Sequence, residues 1–177
     1  MRKRSDVEPQ AIPWASQRTD RVLNFTLQMP TGTDKAAVLS PRVYGPESTP
    51  DEREVIADRV SVVDAGVLLM REIPVQSPFS VQLMYDRLET LSQDWDRFAY
   101  VVDLTEARRP NPETRAALKE RSMRINRRIS HVAIVVGNNE LMRIMARLFA
   151  YGMGLASVSI HATSAEAIDR ARRAMER

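Results

Sequence analysis

The chain has 177 residues, a formal net charge of +3 and no cysteine, which is length enough for one domain plus an extension. Absence of cysteine removes disulfides, thiolate metal sites and cysteine nucleophiles, while 44% hydrophobic residues against 28% charged exclude wholesale disorder. No apolar run reaches the roughly 18–20 residues that span a bilayer. The basic start Met1-Arg2-Lys3-Arg4 is followed by Ser5-Asp6-Val7-Glu8-Pro9 instead of an apolar stretch, so a cytoplasmic location is expected.

Residues 1–58 read as an N-terminal extension. Prolines recur at 9, 13, 30, 41, 46 and 50, and no long helical period appears. Leu23, Phe25 and Leu27 alternate with Asn24, Thr26 and Gln28, the pattern of a half-buried strand. Ala37-Val38-Leu39 and Arg42-Val43-Tyr44 are weaker strand candidates. Pro50-Asp51-Glu52 has the chemistry of a helix first turn, and a short helix to about Ala57 is expected.

From residue 59 onward the signals strengthen. Val60–Val63 and Val67–Ile73 flank the turn-forming trio Asp64-Ala65-Gly66 and predict a hairpin. Ser77 and Pro78 are the cap and first residue of a helix whose apolar stripe is Val81, Met84, Leu88, Leu91 and Trp95. Phe98–Val102 is a buried-type strand that ends at Asp103. A proline-rich loop then leads to a helix from about Glu113 to Arg128, capped by Asn111, with a thin core side of Ala117, Leu118, Ile125 and Ile129. His131–Val136 is the next strand. Asn138 or Asn139 caps a third helix with Leu141, Ile144, Met145, Leu148 and Phe149 expected to face inward. Leu155–His161 is a further strand, and Thr163 with Glu166 resembles a capping box opening the last helix. The order β-β-α-β-α-β-α-β-α predicts an α/β fold, a mainly parallel central sheet with an opening hairpin that adds one antiparallel strand at an edge, and four helices over residues 59–177.

The residues that could carry chemistry are few. His131 and His161 stand at strand ends without metal-ligand spacing and read as boundary histidines with local hydrogen bonds. Asp103 closes a central strand; the chain lacks the late lysine of a receiver-type phosphoacceptor, so its expected role is to accept loop N–H groups. Gly137-Asn138-Asn139 and Gly152-Met153-Gly154 match neither a dinucleotide fingerprint nor a Walker sequence and read as turns. No cofactor, metal site or catalytic constellation is expected, and the chain is read as a non-enzyme. Residues 1–60 carry nine basic and nine acidic side chains; the positive excess lies in 105–130, where eight basic residues face three glutamates. No aromatic residue interleaves with that run, which argues against nucleic acid.

The order of these segments resembles the STAS-type fold, the family of anti-sigma-factor antagonists, and above all its SpoIIAA-like branch. The resemblance spans about residues 60–177 and rests on Val62-Val63-Asp64-Ala65-Gly66-Val67-Leu68, Phe98-Ala99-Tyr100-Val101-Val102-Asp103-Leu104, His131-Val132-Ala133-Ile134-Val135-Val136-Gly137 and the segment from Ser157 to Ile168. It implies a bacterial regulatory or scaffold protein that binds a protein partner at the loop and helix after the Asp103 strand. The residues expected there are Arg108, Arg109, Asn111, Thr114 and Arg115. In the antagonists a serine at that helix start is phosphorylated; here no serine matches, and Thr114 is the nearest hydroxyl. Some SpoIIAA-like relatives are thought to hold apolar or lipid-like ligands between helices and sheet, which is the alternative expectation. A homodimer is left open.

Overall fold

Each helix begins where the sequence supplies a side chain to satisfy its first free N–H groups. In the computed structural model, which describes residues 39–152, 155 and 157–176, Thr49 and Glu52 form a reciprocal capping box at α1 (Pro50–Ala57). Ser77 accepts from the Ser80 N–H to start α2 (Pro78–Leu91). Asn111 accepts from the Thr114 N–H at 2.8 Å to start α3 (Pro112–Ile125). Asn139 does the same for the Met142 N–H at α4 (Glu140–Gly152), and Thr163 for the Glu166 N–H at α5 (Ser164–Met175). The expected strand at Leu23, Phe25 and Leu27, residues Ala37 and Val38, the Phe149 side chain, Met153 and Gly154 lie outside the described residues.

The strands are β1 (Val60–Asp64), β2 (Val67–Arg71), β3 (Phe98–Asp103), β4 (Ile129–Val135) and β5 (Val158–His161). They form one sheet in the order β1-β2-β3-β4-β5, antiparallel between β1 and β2 and parallel elsewhere. The hairpin turns at Gly66, whose φ of 71° is strained for any residue with a Cβ. As expected, the hairpin puts its antiparallel strand at an edge.

Strands 2 to 5 advance across the sheet in one direction. Right-handed crossovers then put all three connecting helices on the same face. The alternation of side chains follows. Leu68, Met70, Phe98, Tyr100, Val132 and Ile134 point toward α2, α3 and α4, whereas Val67, Leu69, Ala99, Val101, Ala133 and Val135 meet Ala167 and Ala171 of α5 on the reverse face. No reversal of strand order occurs, so the sheet has no topological switch point of the kind that opens a crevice at strand ends.

Three expectations are corrected. Arg42-Val43-Tyr44 is not a strand: Tyr44 is buried in irregular chain, its carbonyl accepting from the Ser77 hydroxyl, while Val43 is exposed. The compact unit runs from Ala36 to Arg177, upstream of the boundary expected between residues 58 and 59. Leu39, Tyr44 and Ile56 are buried in the main core cluster, and α1 packs on α2. Finally, the apolar stripe of α4 faces out. Leu141, Ile144, Met145 and Leu148 are exposed, Leu148 at 62%, and the helix instead lays Ala146 and Ala150 against the sheet. Small side chains let the helix backbone approach β5 closely, a preference that side-chain spacing alone does not reveal.

These corrections predict opposite outcomes for two truncations. Ile56→Ala, at a fully buried position of the segment first read as an extension, should cost about 2–5 kcal/mol in denaturant titration. Leu148→Ala should stay within roughly 0.5 kcal/mol of the parent.

Candidate functional site

The face that carries three helices is incompletely filled. α3 presents Thr114, Leu118, Ser122 and Ile125 to the interior, so two of its four buried side chains are small and polar. α3 packs on α2, and α4 stands against β5. Between them and the sheet lies a cavity of about 400 Å³, within the size range of small-molecule sites. Met70, Tyr100, Val102, Val132 and Ile134 form its floor on the sheet, and Tyr85, Leu118 and Ser122 line it from α2 and α3. Leu141, Met142, Met145 and Ala146 of α4 form the opposite wall. Arg108 and Arg109 of the loop after β3, with Arg115 of α3, complete the lining.

The lining is apolar except for a few groups that partner one another. The Tyr85 Oη and Ser122 Oγ lie 2.7 Å apart. Glu72 follows β2 directly, is only 5% exposed, and accepts a hydrogen bond from the Gln76 side-chain amide. The Thr114 hydroxyl donates to the Gln76 carbonyl oxygen, fastening the start of α3 to the same segment. Burial pushes the Glu72 carboxyl up to about 7, with the Gln76 hydrogen bond acting in the other direction. Burial likewise pushes the Tyr85 phenol up to about 12 and the Tyr100 phenol well above its ordinary value. Lack of solvent thus keeps both phenols neutral and shifts the carboxyl toward its protonated form, which suits an apolar cavity.

The expected partner-binding residues divide. Arg108, Arg109, Asn111 and Arg115 are exposed. Thr114 is fully buried, so its hydroxyl is withdrawn from a docking surface and from a modifying enzyme. Asn111 is occupied as the cap of α3. The wider basic run also divides. Arg121 pairs with Asp86 at 2.8 Å and Arg124 with Glu120 at 2.7 Å. Arg128 donates to the carbonyls of Ser92 and Trp95 and lies over the Phe98 ring. Among the described residues, Arg108, Arg109 and Arg115 have no carboxylate partner.

The other candidates have local roles. Asp103 Oδ1 accepts from the Thr105 N–H and hydroxyl, and Oδ2 accepts from the Ser164 hydroxyl at the start of α5. This matches its expected role as a loop acceptor. His131 is buried under α5 with its ring nitrogens 2.7 Å from Ser157 Oγ and 2.8 Å from Ser159 Oγ; His161 Nε2 contacts the same Ser159 hydroxyl. Burial first, then Arg170 and His161, lower the His131 imidazole to about 4, so it is neutral at physiological pH. Among the described residues no group of three or more His, Cys, Asp or Glu side chains could hold a metal ion, and no helix is long and apolar enough to cross a membrane. Gly137, with φ of 64°, makes the expected turn after β4.

Sequence reasoning missed Glu72, Gln76, Tyr85, Tyr100 and Ser122 as members of one site. Its one visible trace was the thin core side of α3, where Thr114, Leu118 and Ser122 recur at every fourth position. No family model and no curated protein matches the chain.

The raised Glu72 acidity gives a pH test. The folded protein holds this proton more tightly than the unfolded chain, so the associated stability is fully present below pH 4.5 and is lost as the pH rises through about 7. Glu72→Gln should abolish that decline, with the parent losing about 3 kcal/mol relative to the variant across this window in urea titrations. His131, whose lowered pKa costs stability only as pH falls, is common to both proteins and cancels from the difference.

Proposed function

We propose that the protein is a non-enzymatic binding module, a carrier or sensor, that holds one small apolar or lipid-like molecule between its sheet and helices α3 and α4. The observation that carries this reading is the cavity of about 400 Å³, walled by Met70, Val102, Leu118, Val132, Ile134 and Met142. A void of this size lined by aliphatic side chains forfeits packing contacts unless something apolar fills it. Roughly 0.8 kcal/mol is gained per buried methylene group, so a chain of about ten of them supplies the roughly 8 kcal/mol of a micromolar complex before the cost of association is met. The reading takes up the alternative expectation from the STAS-type, SpoIIAA-like resemblance of residues 60–177, some of whose relatives are thought to hold such ligands.

A second reading, docking of a protein partner at Arg108, Arg109, Asn111 and Arg115, draws on the exposure of these four residues around one loop. Thr114, being buried, drops out of it. The two readings share a rim and are compatible: an occupied cavity and an empty one would offer a partner different surfaces.

The test is titration with N-phenyl-1-naphthylamine, an uncharged probe that fluoresces in apolar surroundings. One probe molecule per chain is expected to bind. Ala146→Phe projects a ring into the cavity from a buried position on α4 and should weaken binding at least tenfold while leaving the far-ultraviolet circular dichroism unchanged. Equal binding by parent and variant would remove the cavity as the site.

A further inference from the structure

We infer that the ligand of this cavity is a single-chain amphiphile with an anionic head, its hydrocarbon tail between α3, α4 and the sheet and its carboxylate or phosphate held by Arg108, Arg109 and Arg115. The inference rests on the reading of the cavity as a ligand site and adds the chemistry of the head group.

The two sides of the lining differ in kind. On the α4 side it is closed by Leu141 and Met145, apolar residues that are themselves 69% and 46% exposed. On the side of the β3–α3 loop it is lined by Arg108, Arg109 and Arg115, and among the described residues none of them meets a carboxylate. Other arginines of α3 are engaged: Arg121 and Arg124 each hold an acid. Lys119 and Arg127 of the same basic run also lack a carboxylate partner among the described residues, but they do not line the cavity, whereas Arg108, Arg109 and Arg115 do. A guanidinium presents a planar fork of donors that matches a carboxylate or phosphate in pairs.

The loop that carries them is tied down. The Arg108 N–H donates to the Pro74 carbonyl, the Ala107 N–H to the Leu104 carbonyl, and Pro110 and Pro112 restrict the backbone between Arg109 and α3. Such a loop gives up little freedom when an anion docks. The one carboxyl among the lining residues, Glu72, does not oppose an anion as a charged group would: its burial favours the protonated form, which can donate a hydrogen bond. A cationic head would meet three positive charges, and an uncharged head would leave the arginines unused.

The experiment is displacement of bound N-phenyl-1-naphthylamine from the full chain by dodecanoate, dodecyl phosphate, dodecanol and dodecyltrimethylammonium. At low salt, dodecanoate or dodecyl phosphate should displace the probe at a concentration at least tenfold lower than dodecanol, with dodecyltrimethylammonium the weakest. The order of the two anions identifies the head as carboxylate or phosphate. In the triple variant R108Q/R109Q/R115Q, whose substitutions are all at exposed positions, the preference for anions over dodecanol, read as the ratio of displacing concentrations within that variant, should vanish. Equal displacement by the anions and dodecanol, preference for the cation, or an anion preference that survives in the triple variant would each overturn the head-group assignment and leave the apolar site standing. Failure of every compound and of the probe to bind would overturn the cavity reading itself.

Discussion

Everything distinctive in this protein depends on the one-way march of its parallel strands. Because β2 through β5 are laid down in sequence order, α2, α3 and α4 must share one face of the sheet, and among the described residues the last helix serves the other. The α5 face is narrow and is closed with alanines, Ala167 and Ala171 against Ala99 and Ala133. The three-helix face is broad and needs large side chains from every helix. α2 supplies Val81, Met84, Tyr85 and Leu88, and α1 adds Ile56 beside it. On the cavity lining α3 brings Ser122 and α4 brings Ala146, small side chains where larger aliphatic ones would fill the space. The cavity is what this shortage leaves.

The polar groups in the wall give that space its shape. A buried hydroxyl or carboxyl costs free energy unless it is hydrogen-bonded, and here the pairs Tyr85–Ser122 and Glu72–Gln76 satisfy each other across elements. Ser122 is therefore better suited to its place than a larger aliphatic residue would be: it is the partner that makes the Tyr85 phenol tolerable inside. Thr114 acts similarly through the Gln76 carbonyl, joining the start of α3 to the segment after β2. Stability and an open volume are thus obtained together, because the side chains that fasten α3 are the small polar ones that fail to fill the space.

Charge is distributed by the same geometry. The positive excess between residues 105 and 130 is one block in the sequence, yet its members differ in engagement. Arg128 is consumed by the Ser92 and Trp95 carbonyls and by the Phe98 ring, and Arg121 by an acid on α2. Of the members without a carboxylate partner among the described residues, Arg108, Arg109 and Arg115 lie beside an apolar opening, whereas Lys119 and Arg127 do not line it. The exposed stripe of α4 continues the apolar side of that opening, from Leu141 and Met145 to Leu148.

The sequence by itself determined the succession of strands and helices, the caps at Ser77, Asn111 and Thr163, the hairpin at Gly66 and the edge position of β1. These depend on local physics: backbone N–H groups that need nearby acceptors, alternation along a strand, and the conformational freedom of glycine. Only the tertiary structure decided which face of α4 is buried, because periodicity marks an apolar stripe without saying what will lie against it, and close approach to β5 favours alanine over leucine. Only the tertiary structure brought Glu72, Tyr85, Tyr100, Ser122 and the three arginines around one cavity, since they come from separate elements and share no spacing along the chain. It also drew residues 39–58 into the domain. Leu39, Tyr44 and Ile56 are buried by partners far along the chain, and burial of that kind depends on the assembled fold and leaves no mark in a local pattern.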